Sequence, residues 1–112
     1  MDTRTVKGGY GYTDTLDALI VALCLDYERR RDALELGLVS TRCGMEYKYL
    51  NYRIYEGAAE IVSERFAPLY INEIGRKIGY AATEHPAISE SQYKRDKFEV
   101  KMNIARKLHL IS

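Results

Sequence analysis

At 112 residues and 12.9 kDa the chain is about one domain long, and its 46% hydrophobic content is enough to fill one small core. Seventeen Lys and Arg against sixteen Asp and Glu leave a net charge of +1, so no overall charge excess announces a nucleic-acid or membrane partner. With 29% charged residues and ten Tyr the chain is too apolar and too balanced to be disordered, and a single folded domain over residues 1–112 is expected.

The opening segment MDTRTVKGGYGYTD carries charges and glycines but no apolar core of a secretory leader, which points to a cytoplasmic location. Gly8, Gly9 and Gly11 make residues 1–12 read as a flexible tail. Lys7-Gly8-Gly9-Tyr10-Gly11 ahead of a helix invites a phosphate-loop reading, because free backbone N–H groups attract anions there. Asp14 and Asp17 oppose it, since they place negative charge on the same helix start.

Leu16, Leu19, Ile20, Leu23, Tyr27 and Leu34 recur at helical spacing and predict a first helix over residues 14–36, stopped by Gly37. The run Arg29-Arg30-Arg31 reads as a solvated face closing that helix, where cations favour the C-terminal end. The longest charge-free apolar run, Ala18 to Leu25, is eight residues, against roughly twenty for a membrane-spanning helix. Cys24 and Cys43 read as reduced core or near-core thiols within helices, since two Cys form no disulfide framework.

Ser40 or Thr41 caps a second helix running to Val62, whose core stripe is Tyr47, Leu50, Ile54, Ala58, Ile61 and Val62. Met45, Tyr49, Tyr52 and Ala59 fall on a nearly opposite face. A helix with two apolar sides suits a central position or a partner contact, so Met45, Tyr49 and Tyr52 are the candidate partner-binding residues of a homodimer.

Phe66, Leu69, Tyr70, Ile74 and Ile78 predict a third helix starting near Pro68 and ended by Gly79. Residues 80–87, with His85 and Pro86, read as a loop. Ser89 to Gln92 is a capping box opening a fourth helix over residues 90–108, with Tyr93, Val100, Ile104 and Leu108 buried. No alternating run suggests a strand. The expected fold is all-α, a small bundle of four helices.

Enzymatic chemistry finds no residues to carry it. His85 and His109 are the only histidines, and neither has a Cys or second His at metal-ligand spacing. No Gly-x-Ser-x-Gly or GK[ST] sequence occurs. No catalytic residue, metal or cofactor is therefore assigned. Charge is unevenly shared: residues 1–62 hold eight basic and ten acidic residues, and residues 63–112 hold nine basic and six acidic. The fourth helix alone carries Lys94, Arg95, Lys97, Lys101, Arg106 and Lys107, the kind of stripe that contact with phosphates requires.

Ile74-Gly75-Arg76-Lys77-Ile78-Gly79-Tyr80 looks like the first helix and turn of a helix-turn-helix. Ile88-Ser89-Glu90-Ser91-Gln92-Tyr93-Lys94-Arg95, followed by Ile104-Ala105-Arg106-Lys107-Leu108, resembles the C-terminus of small phage transcriptional regulators, the ArpU-like group related to region four of sigma factors. The likeness covers about the last forty residues. It departs from the pattern in the ten positions from Gly79 to Ile88, where a standard turn has three or four. The resemblance implies a DNA-binding regulator whose fourth helix enters the major groove. Ser91, Gln92, Lys94 and Arg95 would then face base edges, while Lys101, Arg76 and Lys77 would touch phosphates. The competing expectation is a non-enzymatic interaction or inhibitor module that presents the Tyr-rich helix 41–62 to a protein partner.

Overall fold

The computed structural model describes residues 11–83 and 88–112. Its helices are α1 (Asp14–Leu25), α2 (Tyr27–Glu35), α3 (Thr41–Val62), α4 (Ala67–Arg76) and α5 (Glu90–Lys107), with a 3₁₀ turn at Tyr80–Ala82. The fold is all-α, and the described residues contain no strand. All four expected helices are present, the first of them divided at Asp26 into α1 and α2. No helix among the described residues is long and apolar enough to cross a membrane.

Local signals in the sequence set most helix ends. Thr13 Oγ1 accepts from the Leu16 amide at 3.2 Å, Ser40 Oγ from Cys43 at 3.2 Å and Ser89 Oγ from Gln92 at 3.1 Å. Each cap satisfies one amide that the first helical turn leaves without a carbonyl. At the end of α2, Gly37 takes φ 66°, its amide donates to the Leu34 carbonyl and the Leu38 amide to the Ala33 carbonyl. That pair of bonds is a Schellman ending, which needs a left-handed residue at this point.

Ile20, Cys24, Ile54, Ala58, Tyr70, Ile71, Ile74, Tyr93, Val100 and Ile104 form the buried core, with α5 laid chiefly along α3 and α1 along α4. Two glycines let these helices meet backbone to backbone. A Cβ on Gly57 would stand 2.9 Å from the Ile104 Cα, and one on Gly75 would stand 2.5 Å from the Leu25 amide nitrogen and 2.6 Å from its Cα. Gly57 in mid-helix costs about 1 kcal/mol of helix propensity, which the closer packing offsets.

Four expectations are corrected. The division of the first helix follows from Arg30, which is 3% exposed and not part of a solvated face. Its guanidinium donates to Asn51 Oδ1 at 2.7 Å, to the Leu23 carbonyl at 2.7 Å and to Asp26 Oδ2 at 3.1 Å, while Asn51 Nδ2 donates to the Tyr27 carbonyl at 3.1 Å. These bonds tie the α1–α2 junction to the middle of α3 and satisfy a charge that burial would otherwise make costly. Arg29 and Arg31 remain exposed, as expected of a surface run.

The second correction concerns the expected tail, because Tyr12 is fully buried. Its hydroxyl donates to Asp17 Oδ1 at 2.8 Å and its ring packs edge-on against Phe98. Residues 1–10 of that tail, and His85 and Pro86 of the expected loop, lie outside the described residues. The third correction moves the stop of α4: Lys77, at φ 58°, takes the left-handed position, whereas Gly79 is extended. Cys24 is buried with its thiol pushed up to about 12 by burial, but Cys43 is exposed, contrary to a core or near-core reading.

Gly75→Ala should lower stability by about 2 kcal/mol or more, because the new methyl meets backbone that cannot turn aside. Gly79→Ala, with nothing within 4 Å of the added Cβ, should cost nothing in the same urea denaturation series. Equal losses at the two positions would contradict the close α1–α4 approach. Ser63, at φ 101°, sits where glycine alone is comfortable. Ser63→Gly should raise stability by about 1 kcal/mol, read as an upward shift in denaturation midpoint.

Candidate nucleic-acid interface

The C-terminal end of α4 lies beside the second and third turns of α5. The Ile78 carbonyl fixes this junction by accepting from Lys97 Nζ at 2.7 Å and from the Tyr93 hydroxyl at 3.2 Å. The single Tyr93 hydroxyl proton is shared between that carbonyl and the nearer Glu73 Oε1 at 2.6 Å, and Glu73 is buried against Thr83, whose hydroxyl lies 2.7 Å and 2.9 Å from its two oxygens. Tyr80 packs near the Tyr93 ring and donates to the Ile88 carbonyl at 2.6 Å. The connection between α4 and α5 is therefore anchored at both ends. It spans residues 77–89, longer than the turn of a helix-turn-helix, and α5 takes more of its packing from α3 than from α4.

The residues expected to meet DNA, with the other lysines of α5, divide into two groups. Ser91, Lys94 and Arg95 are exposed on the first two turns of α5, and Arg76 and Lys77 are exposed at the end of α4. Lys94 pairs with Glu90, 3.0 Å away on the same helix, and both side chains are largely solvated. Arg76 Nε donates to Asn72 Oδ1 at 2.8 Å along its own helix. Such surface pairs contribute on the order of 0.2–1 kcal/mol and yield readily to a phosphate.

The second group is turned inward. Lys101 is paired to Asp17 at 2.8 Å with its side chain 17% exposed. Lys107 is paired to Glu60 at 2.6 Å, on the side where Asn103 bridges to the Gly57 carbonyl and Glu60. Lys97 is half-buried over the Tyr93 ring, and burial lowers its pKa. Gln92 is also engaged: its Nε2 donates to Asp96 Oδ1 at 2.7 Å and its Oε1 accepts from Arg95 at 2.7 Å. A base contact by Gln92 would need both bonds to open.

Sequence reading placed no site at Tyr80, Lys97 and Phe98. These three line a groove of about 550 Å³ together with Gly79, Tyr93, Lys94 and Lys101, and among the described residues no carboxylate lines it. The signal for it was present in the i, i+3, i+7 spacing of Lys94, Lys97 and Lys101, which brings three lysines to one face once α5 is formed. Tyr80 arrives from outside the helix and carried no such signal.

On α3, Met45 is 67% exposed, Tyr49 45% and Tyr52 60%, so the expected partner face is uncovered among the described residues. Among the same residues no group of three His, Cys, Asp or Glu side chains could hold a metal ion. Comparison with protein-family models, with curated proteins and with solved structures finds no match for this chain.

Proposed function

We propose that this chain is a small DNA-binding protein, a transcriptional regulator of phage or mobile-element type, which meets duplex DNA with the N-terminal half of α5 and the adjoining end of α4. The observation that carries this reading is the exposure of Lys94 and Arg95 on a capped helix that is tied through Ile78 to the end of α4, where Arg76 and Lys77 are exposed as well. Exposed cations at the start of α5 and at the end of the helix it is tied to give an electrostatic footprint for phosphates, although the whole chain is nearly neutral. The resemblance of residues 88–108 to small phage regulators supports the same corner. Within this reading Arg95 and Lys94 are the side chains free to move toward a groove, Ser91 lies exposed beside them, and Gln92 positions Arg95. Lys101, inside its pair with Asp17, contributes field more than contact.

A second reading is a protein-interaction or inhibitor module. The exposure of Met45, Tyr49 and Tyr52 favours it, because aromatic residues with polar tips dominate binding surfaces.

Titration of fluorescent random duplex at several salt concentrations tests the first reading. Wild-type protein should bind with a log-log salt dependence, and Lys94→Ala with Arg95→Ala should reduce the slope by about two units. Lys107→Ala, which removes a cation already paired to Glu60, should leave the slope unchanged. Absence of duplex binding at low salt, or an unchanged slope in the Lys94 and Arg95 variant, overturns the DNA reading and leaves the interaction module.

A further inference from the structure

We infer that α3 pairs with α3 of a second copy of this chain in antiparallel register, about a two-fold axis near Tyr49. At about 100° per residue, Arg42, Met45, Tyr49, Tyr52, Glu56 and Glu60 fall on one face of α3. The order along that face is a cation, three large exposed apolar or aromatic side chains, then two carboxylates, with Arg53 along its edge. The Arg53 guanidinium lies 5.6 Å from the Tyr49 ring centroid and 5.9 Å from that of Tyr52, which holds both rings against the helix as a continuous surface. Beside them Met45, Glu46, Tyr49 and Leu50 line a shallow, mostly apolar hollow.

The charge order selects the partner and the direction. Position 42 lies seven residues before Tyr49 and position 56 seven after it. In an antiparallel pair centred on Tyr49, Arg42 therefore meets Glu56 of the partner subunit at both ends, about 21 Å apart. Met45 then lies against Tyr52 of the partner subunit, and the two Tyr49 side chains meet near the axis. Parallel pairing would set Arg42 against its own copy and carboxylates against carboxylates, which is unfavourable. Antiparallel helices also oppose their dipoles favourably.

Arg42 is exposed and has no ion-pair partner among the described residues, so its charge is available to another chain. Glu56 pairs with Arg53 at 2.9 Å and lies 3.9 Å from Lys107, Glu60 pairs with Lys107 at 2.6 Å, and both carboxylates keep partly exposed side chains that a further cation can reach. The face lies on one helix, so the contact is smaller than the standard interface of about 800 Å² per partner, and the association should depend on concentration. The inference does not rest on DNA binding, and its test involves no nucleic acid.

Sedimentation equilibrium across the micromolar range should show the mass rising from monomer to dimer. Arg42→Glu should weaken association about tenfold or more without lowering the melting temperature measured at concentrations where both proteins are monomeric, because Arg42 holds no other charge in place. Adding Glu56→Arg to that variant should restore association across the new pair. The direction is read by mixing two proteins in a Cys43→Ser background, one with Arg42→Cys and one with Glu56→Cys, and adding a short bis-maleimide. Antiparallel pairing gives the mixed 42–56 crosslink, and Cys24 stays inert because it is buried. A monomer at several hundred micromolar, a 42–42 crosslink in place of the mixed one, or no effect of Arg42→Glu overturns the inference.

Discussion

The structure depends on the absence of a side chain at two helix crossings. At Gly75 the backbone of α4 meets the end of α1 at Leu25, and at Gly57 the backbone of α3 meets α5 at Ile104. Both approaches are closer than any Cβ permits, so they set how far the helix pairs can close and how much of Ile20, Ile54, Ile71 and Ile104 is removed from water. The position of α5 follows from them. A wider crossing at Gly57 would lift α5 from α3 and with it the bridge from Asn103 to the Gly57 carbonyl and Glu60. The corner that carries Lys94 and Arg95 is thus positioned by a glycine far from it in sequence.

Polar groups inside this core are matched to partners, and the matching shapes the backbone. Arg30 brings a permanent charge into the interior and is met by Asn51, Asp26 and the Leu23 carbonyl. Removing one partner from such a buried set leaves a desolvated charge, so the set holds together as a unit. Its geometric consequence is the division of the long N-terminal helix at Asp26. Glu73 has the same role at the opposite end, where Thr83 and Tyr93 gather around its carboxylate and tie the α4–α5 connection to the core.

The charge of α5 shows why a cationic helix is not by itself a phosphate-binding surface. Six basic residues lie between Lys94 and Lys107, yet Lys101 and Lys107 are paired to Asp17 and Glu60, and Lys97 is drawn toward the Ile78 carbonyl at the end of α4. A cation near a helix C-terminus is stabilised by the carbonyls there, which lowers its attraction for a ligand. The α5 cations exposed to solvent are Lys94 and Arg95 at its start and Arg106 near its end, and Arg76 and Lys77 are exposed at the end of α4. The aromatic face of α3 carries large exposed side chains and the helix's own charges in an order that favours a second copy of itself.

What the sequence alone determined was local. The cap residues Ser40 and Ser89, the Gly37 stop, and the apolar spacing through Ile54 and Ile104 act within four or five residues, so the number of helices and most of their ends could be read directly. The exposed face of α3 was legible for the same reason, since a wheel places Met45, Tyr49 and Tyr52 away from the core stripe without reference to any other helix. The partners of the charged residues were decided only in three dimensions. Arg30 finds Asn51 twenty-one residues away, Lys107 finds Glu60, and Lys101 finds Asp17. The burial of Tyr12 against Phe98 and the end of α4 at Lys77 were hidden likewise. A helical repeat states which side of a helix is apolar, but which cation keeps its charge for a ligand depends on which carboxylate or carbonyl the packing brings beside it.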